Sequence, residues 1–249
     1  MQKEKSIPNK LTTLIEPLLL SVTPVTTKFG SQELTKATGF FFVRENRLYL
    51  ITARHVVLDE LTEHRPNNLV INLHIDPENI TVTTDFSIPL YRDGQPLWRE
   101  AYDSGGRVDV CAIELDRHAL GEQAFFEAFH IDQMLGPEDD VEVGTSALIV
   151  GFPLGFYDTL HRLPVARHAL IASSFGIRFQ GFGYFLTDAQ MHRGSSGAPV
   201  VVKVDYDWQL IGIHTSRMDM INRDKIEDDH LNLNCAWYAN ILLSLTQKA

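Results

Sequence analysis

The chain carries only two cysteines in 249 residues, Cys111 and Cys235, each inside an apolar segment. That excludes a fold stapled by disulfides and points to free, buried thiols in a reducing compartment. The ten histidines are scattered, with no CxxC or HxxxH spacing, so neither a structural metal nor a cofactor is expected. No Lys/Arg cluster occurs and the formal net charge is -10. Nucleic-acid binding needs a basic face to displace counterions, and is therefore not expected. No apolar run approaches the roughly 18 residues of a membrane span. The opening MQKEKSIPNKLTTLIEPLLLSV sets lysines before apolar residues, but Glu16 and Pro17 interrupt it and no small-residue cleavage site follows. It reads as a mature N-terminus leading into a first strand rather than an export signal, and the location expected is cytoplasmic. There is no fixed-period repeat, no low-complexity tract and little sustained helical periodicity.

What is present is a series of short apolar, β-branched and aromatic runs separated by turn residues. They are Thr38–Val43, Leu48–Thr52, Leu69–Ile75, Ile80–Ile88, Val108–Leu115, Thr145–Gly151, Leu163–Ser173, Tyr184–Thr187, Val200–Val204 and Leu210–Thr215. Such spacing predicts an all-β sandwich or barrel, and the length suits two barrels. From Arg117 to Val141 the alternation stops, the pattern admits a short helix, and a Gly-Pro-acidic ending reads as a connector. The organisation expected is one domain, 1–249, with a first β half over 18–116, a connector over 117–140 and a second β half over 141–231. After Asn232, Trp237, Ile241 and Leu245 recur at helical spacing, predicting a C-terminal helix over 232–249.

The stretch MHRGSSGAPVV, Met191 to Val201, sets two serines between two glycines. A GSSG string alone is an ordinary flexible loop. A serine hydroxyl becomes a nucleophile only when a base takes its proton and N–H donors stabilise the oxyanion. On a tight loop those donors are the N–H of the serine and of the residue two earlier, where glycine admits the close approach. Ser196 satisfies this with Gly194 before it and Gly197 after it, whereas Ser195 would have Arg193 and Ser196 in those places. A base and an acid are then required elsewhere. LYLITARHVV offers His55 just after a strand, and GRVDVCAIEL offers Asp109 within an apolar strand, where a lone carboxylate is costly unless bonded. An imidazole would satisfy it, and the order His55, Asp109, Ser196 separates this arrangement from the subtilisin and α/β-hydrolase orders.

Taken together these stretches resemble a chymotrypsin-fold, trypsin-like serine peptidase, nearest in pattern to the bacterial high-temperature-requirement group. ITARHVV is similar to that group's T-x-x-H-V, VDVCAIEL to D-[IVL]-A-[VL]-L, VGFPLGF to G-x-P-x-G, and TDAQMHRGSSGAPVV to T-D-A-x-x-x-x-G-x-S-G-x-P-[LV]-V. LIGIHT resembles the strand that pairs with substrate backbone. The resemblance implies an all-β fold of two six-stranded antiparallel barrels with the site in the cleft between them. It implies His55, Asp109 and Ser196 as the triad, the N–H groups of Gly194 and Ser196 as the oxyanion hole, and a polypeptide substrate. By position in the pattern, the first substrate pocket has its floor at or near Gln190, with His214, Thr215 and Arg217 around it, which disfavours Lys or Arg and leaves an acidic or polar preference open. Ser195 stands where the digestive enzymes carry the aspartate that pairs with a new N-terminus, so activation by that cleavage is not expected. Ala198 replaces the more usual glycine. No PDZ-like segment follows, so peptide sensing and trimer formation are not carried over. Restraint is expected from a regulatory protein partner or from a distorted resting oxyanion loop. The alternatives are a catalytically silent peptide- or protein-binding module on the same fold, and an α/β-hydrolase-type esterase using Ser196 with Asp219 or Asp224 and His230.

Overall fold

The computed structural model describes residues 15–218 and 231–248. The first half is a coiled antiparallel sheet whose main strands are β1 (Val22–Phe29), β2 (Gln32–Arg44), β3 (Arg47–Thr52), β4 (Asn68–His74), β5 (Thr83–Pro89) and β6 (Cys111–Leu115). They pair in the order β5-β4-β1-β2-β3-β6, and the short strand Trp98–Arg99 is added beyond β6. The second half is a closed six-stranded barrel of β7 (Ser146–Gly151), β8 (Val165–Ile171), β9 (Tyr184–Asp188), β10 (Ala198–Val204), β11 (Asp207–Arg217) and β12 (Leu233–Tyr238), paired β7-β8-β9-β12-β11-β10. The chain is thus mostly β, as its strand pattern predicts; the second half closes into the expected six-stranded barrel, whereas the strands of the first pair as a sheet and not as a second closed barrel.

The run Phe40-Phe41-Phe42 shows why the two halves stay together. Strand alternation sends Phe41 into the first half's own core with Leu50, Leu69 and Ile113. Phe40 and Phe42 point the other way, into an apolar layer shared with Val150, Val201 and Ile213 of the second half. All three rings are at most 2% exposed. The second barrel has a separate interior of Ile149, Ile171, Phe185, Val200, Ile211 and Ala236.

Three sequence expectations are corrected here. The segment expected to be helical from 232 is strand β12 over Leu233–Tyr238, followed by a helix of only Ile241–Leu245. Open edges on β9 and β11 accept it on both sides, and completing that ladder outweighs a weak helical periodicity. Asp109 lies in a bend before β6, not within a strand. Its carbonyl accepts the Arg54 N–H at 3.2 Å instead of joining a ladder. Finally, the segment after Ser196 is a strand in an antiparallel barrel, which removes the strand–elbow–helix that an α/β-hydrolase requires. Asp219, Asp224 and His230 lie outside the described residues.

Candidate active site

His55 sits on a single helical turn, Arg54–Val57, that begins directly after β3 and Ala53. The Asp109 carboxylate grips this turn twice: one oxygen accepts the His55 backbone N–H at 3.0 Å and the other lies 2.8 Å from Nδ1. An Nδ1–H···carboxylate bond leaves Nε2 as the basic nitrogen. Burial, the strongest influence on His55, lowers its pKa. The hydrogen bond and negative charge of Asp109, with Asp59 adding to them, outweigh it and hold the pKa above the usual 6.5. Beneath the turn, the buried Arg54 guanidinium is bonded to Glu60 at 2.7 Å and Glu100 at 3.0 Å. With both partners satisfied, this pair network fixes the turn from below.

The serine loop occupies the cleft's other wall. Gly194 and Gly197 have φ of +91° and +90°, a region where side chains are strained. A Cβ on Gly194 would lie 2.6 Å from the Phe152 carbonyl oxygen, and one on Gly197 would collide with the Thr38 carbonyl. The Ser195 N–H donates to the His192 carbonyl at 3.2 Å and the Gly197 N–H to the His214 carbonyl at 2.8 Å. The N–H groups of Gly194 and Ser196 have no acceptor among the described residues. Neither donor is therefore engaged by a backbone acceptor of the described residues.

Ser196 and Gly194 line the same cleft of about 830 Å³ as His55. The Ser196 hydroxyl donates to the Thr215 carbonyl at 3.1 Å, and no hydrogen bond joins it to His55. Ser195 is fully buried with its hydroxyl unpartnered among the described residues, which separates it from the cleft. Gln190, expected at the floor of the substrate pocket, is exposed and stands on the rim of a smaller pocket of about 120 Å³ together with His192 and Arg217. His214 and Thr215 are each 2% exposed. Burial, reinforced by the nearby His55 and Arg217, pushes the His214 pKa down to about 4.

One important residue escaped the sequence reading. Thr38 on β2 donates its hydroxyl to the Gly194 carbonyl at 2.8 Å and accepts the Phe152 N–H at 3.0 Å. Its backbone N–H donates to the Ser196 carbonyl at 3.0 Å, and its carbonyl accepts the Thr52 hydroxyl at 2.8 Å. A single buried threonine from the first half thus bonds to the loop of the second on both sides of Ser195. Nothing in a TGFFF run distinguishes it from any strand threonine. Among the described residues no group of His, Cys, Asp and Glu is arranged to hold a metal ion, and no helix is long and apolar enough to cross a membrane.

The comparisons with known proteins agree with the fold. No curated protein matches the sequence. Among solved structures, the chain is similar to a serine-to-alanine variant of the HtrA-type protease AlgW with a tripeptide (17% identity, TM-score 0.54, 91% of this chain and 58% of that one). It is also similar to the active form of the Rv3671c protease from M. tuberculosis (17% identity, TM-score 0.51, 97% and 87%). A third is the serine endoprotease from Yersinia pestis (13% identity, TM-score 0.55, 96% and 66%). The chain therefore spans less than two thirds of the first and third of these proteins, and the likeness is one of fold. The family model for the trypsin-like peptidase domain matches residues 37–213, a span that includes His55, Asp109 and Ser196. With that match over most of its length, the chain belongs to the trypsin-like peptidase family.

Proposed function

We propose that this chain is a serine endopeptidase working through an acyl-enzyme. The observation that carries the reading is the pair of hydrogen bonds from Asp109 to the His55 turn, opposite a loop that presents Ser196 and two unengaged N–H donors to one cleft. For attack, the Ser196 hydroxyl leaves Thr215 and turns to Nε2 of His55, which takes its proton as Oγ adds to the substrate carbonyl. Asp109 keeps the ring in the required tautomer and stabilises the imidazolium. The carbonyl oxygen, now negative, lies against the N–H groups of Gly194 and Ser196, each contributing on the order of 3 kcal/mol. His55 then gives the proton to the leaving amine, the C–N bond breaks, and water repeats the sequence to release the acid.

One observation favours a second reading, a silent fold that only holds a peptide: Ser196 is bonded to Thr215 and not to His55. The rotamer change is the point at which a regulatory protein partner would act. Hydrolysis of an unfolded polypeptide by the wild type, Ser195→Ala and Ser196→Ala separates the two. Turnover is expected from the first two and a loss of roughly four orders of magnitude from the third. Full activity of Ser196→Ala, or no turnover by folded wild type, would reject the peptidase.

A further inference from the structure

Among the described residues, six buried side-chain nitrogen or oxygen atoms have no hydrogen-bond partner, and four of them gather at one end of the second barrel: Thr187 Oγ1, Ser195 Oγ, His214 Nδ1 and Asn234 Oδ1. Strand register explains the grouping. Phe185, Ala236, His214 and Ala198 form one cross-strand row, and Phe185, Ala236 and Ala198 belong to the barrel's apolar interior. His214 therefore faces inward as well. One step towards the open end, Thr187, Asn234 and Arg217 form the next inward row across β9, β12 and β11. The Asn234 amide is held in one orientation, because its nitrogen donates to the carbonyls of Thr187, Ala189 and Asn232 at 3.3, 2.8 and 3.0 Å. Its oxygen faces the same region unpaired.

A pocket of about 120 Å³ abuts this polar end through Arg217, with His192 also in its wall and no carboxylate among the described residues that line it; the four unpaired groups themselves are buried behind that lining. It adjoins the reacting serine, because Thr215, which accepts the Ser196 hydroxyl, lies between His214 and Arg217 on β11. The leaving amine must receive its proton from His55, so the departing segment lies in the larger cleft lined by His55 and β2. The smaller pocket is left for the side chain on the acyl side.

Buried polar atoms without partners are costly, and a side chain that reaches past the lining and pairs with them is favoured over one that cannot. The Thr187 and Ser195 hydroxyls and an Nδ1–H tautomer of His214 can all donate, while Arg217 supplies fixed positive charge at the rim. Building on the peptidase reading, we propose that this pocket selects a carboxylate-ended side chain of glutamate length, so that the protein cleaves after glutamate. Arg217 repels lysine and arginine, an apolar side chain leaves the donors unpaired, and aspartate is too short to pass the rim row and reach His214. His214 acts as a neutral donor, since its imidazole is uncharged above about pH 4.

The test uses peptides identical except for Glu, Gln, Leu or Lys at the position before the scissile bond. Wild type is expected to cleave the Glu peptide at least about tenfold better in kcat/KM than the Gln peptide, and better still than the others. Arg217→Gln brings the Glu-to-Gln ratio close to one, Arg217→Lys retains most of it, and Thr187→Val lowers both. A Leu or Lys optimum, or Gln equal to Glu, overturns the proposal. Calorimetric binding of the same peptides to Ser196→Ala provides an arm that needs no turnover. Tightest binding of the Glu peptide there, with wild type unreactive to a fluorophosphonate, keeps the pocket and removes the catalytic reading. Labelled wild type without a Glu preference does the reverse.

Discussion

His55 and His214 interact across the site, yet their environments drive them apart. His55 has a carboxylate partner that overcomes its burial and raises its pKa, whereas His214 has no carboxylate partner among the described residues and burial lowers it to about 4. On the proposed peptidase reading catalysis needs neutral His55, so the acid limb of the kcat/KM profile is expected above pH 6.5. Asp109→Asn should move that limb to lower pH while cutting kcat sharply; an unmoved midpoint contradicts the pairing. The stability effect of His214 has the opposite sign and another window. The unfolded chain binds a proton at His214 below about 6.5 and the folded protein only near 4, so stability rises with pH between these values. That contribution amounts to about 3 kcal/mol in all. Urea unfolding at stepped pH should show the slope in wild type and lose it in His214→Gln; an equal slope in both would place its origin elsewhere. Gly194 belongs to the same scale. Gly194→Ala meets the Phe152 carbonyl and a positive φ together, and is expected to lower kcat by at least about 100-fold through the oxyanion donor.

At the scale of elements, β2 carries the most function for the least visible signal. Thr38 bonds to the carbonyls of Gly194 and Ser196, one from its hydroxyl and one from its N–H. Thr38→Val keeps the shape and the N–H but leaves the Gly194 carbonyl and the Phe152 N–H unpaired. It should cost about 2–4 kcal/mol and reduce kcat more than it raises KM. Loss of stability with kcat intact would make Thr38 structural only. The serine loop was legible in the sequence because glycine is demanded by positive φ at 194 and 197, and His55 because a strand ends immediately before it. Thr38, Thr187 and Asn234 were not legible, since their importance comes from strands far apart in the chain meeting in register. Strand β12 was read as helix because Trp237, Ile241 and Leu245 share a helical spacing. Only the neighbouring strands β9 and β11 reveal that the first part of that segment belongs to a ladder.

At the scale of the whole molecule, each half alone holds only part of the proposed site. The first brings His55, Asp109 and Thr38, the second brings Ser196 and its donors, and the layer around Phe40 and Phe42 holds them together. Two β halves were legible from runs of alternating apolar residues, but not that the first pairs as a sheet while the second closes into a barrel, and the cleft between them is a product of packing that no single run encodes. A net charge of -10 does not extend to the small pocket, whose described wall contains Arg217 and no carboxylate. The most direct test of the account is mass spectrometry of the folded protein after reaction with a fluorophosphonate. It predicts one adduct, on Ser196, absent from Ser196→Ala and strongly slowed in His55→Ala. Folded wild type that stays unlabelled, or that carries its adduct on Ser195, would contradict it.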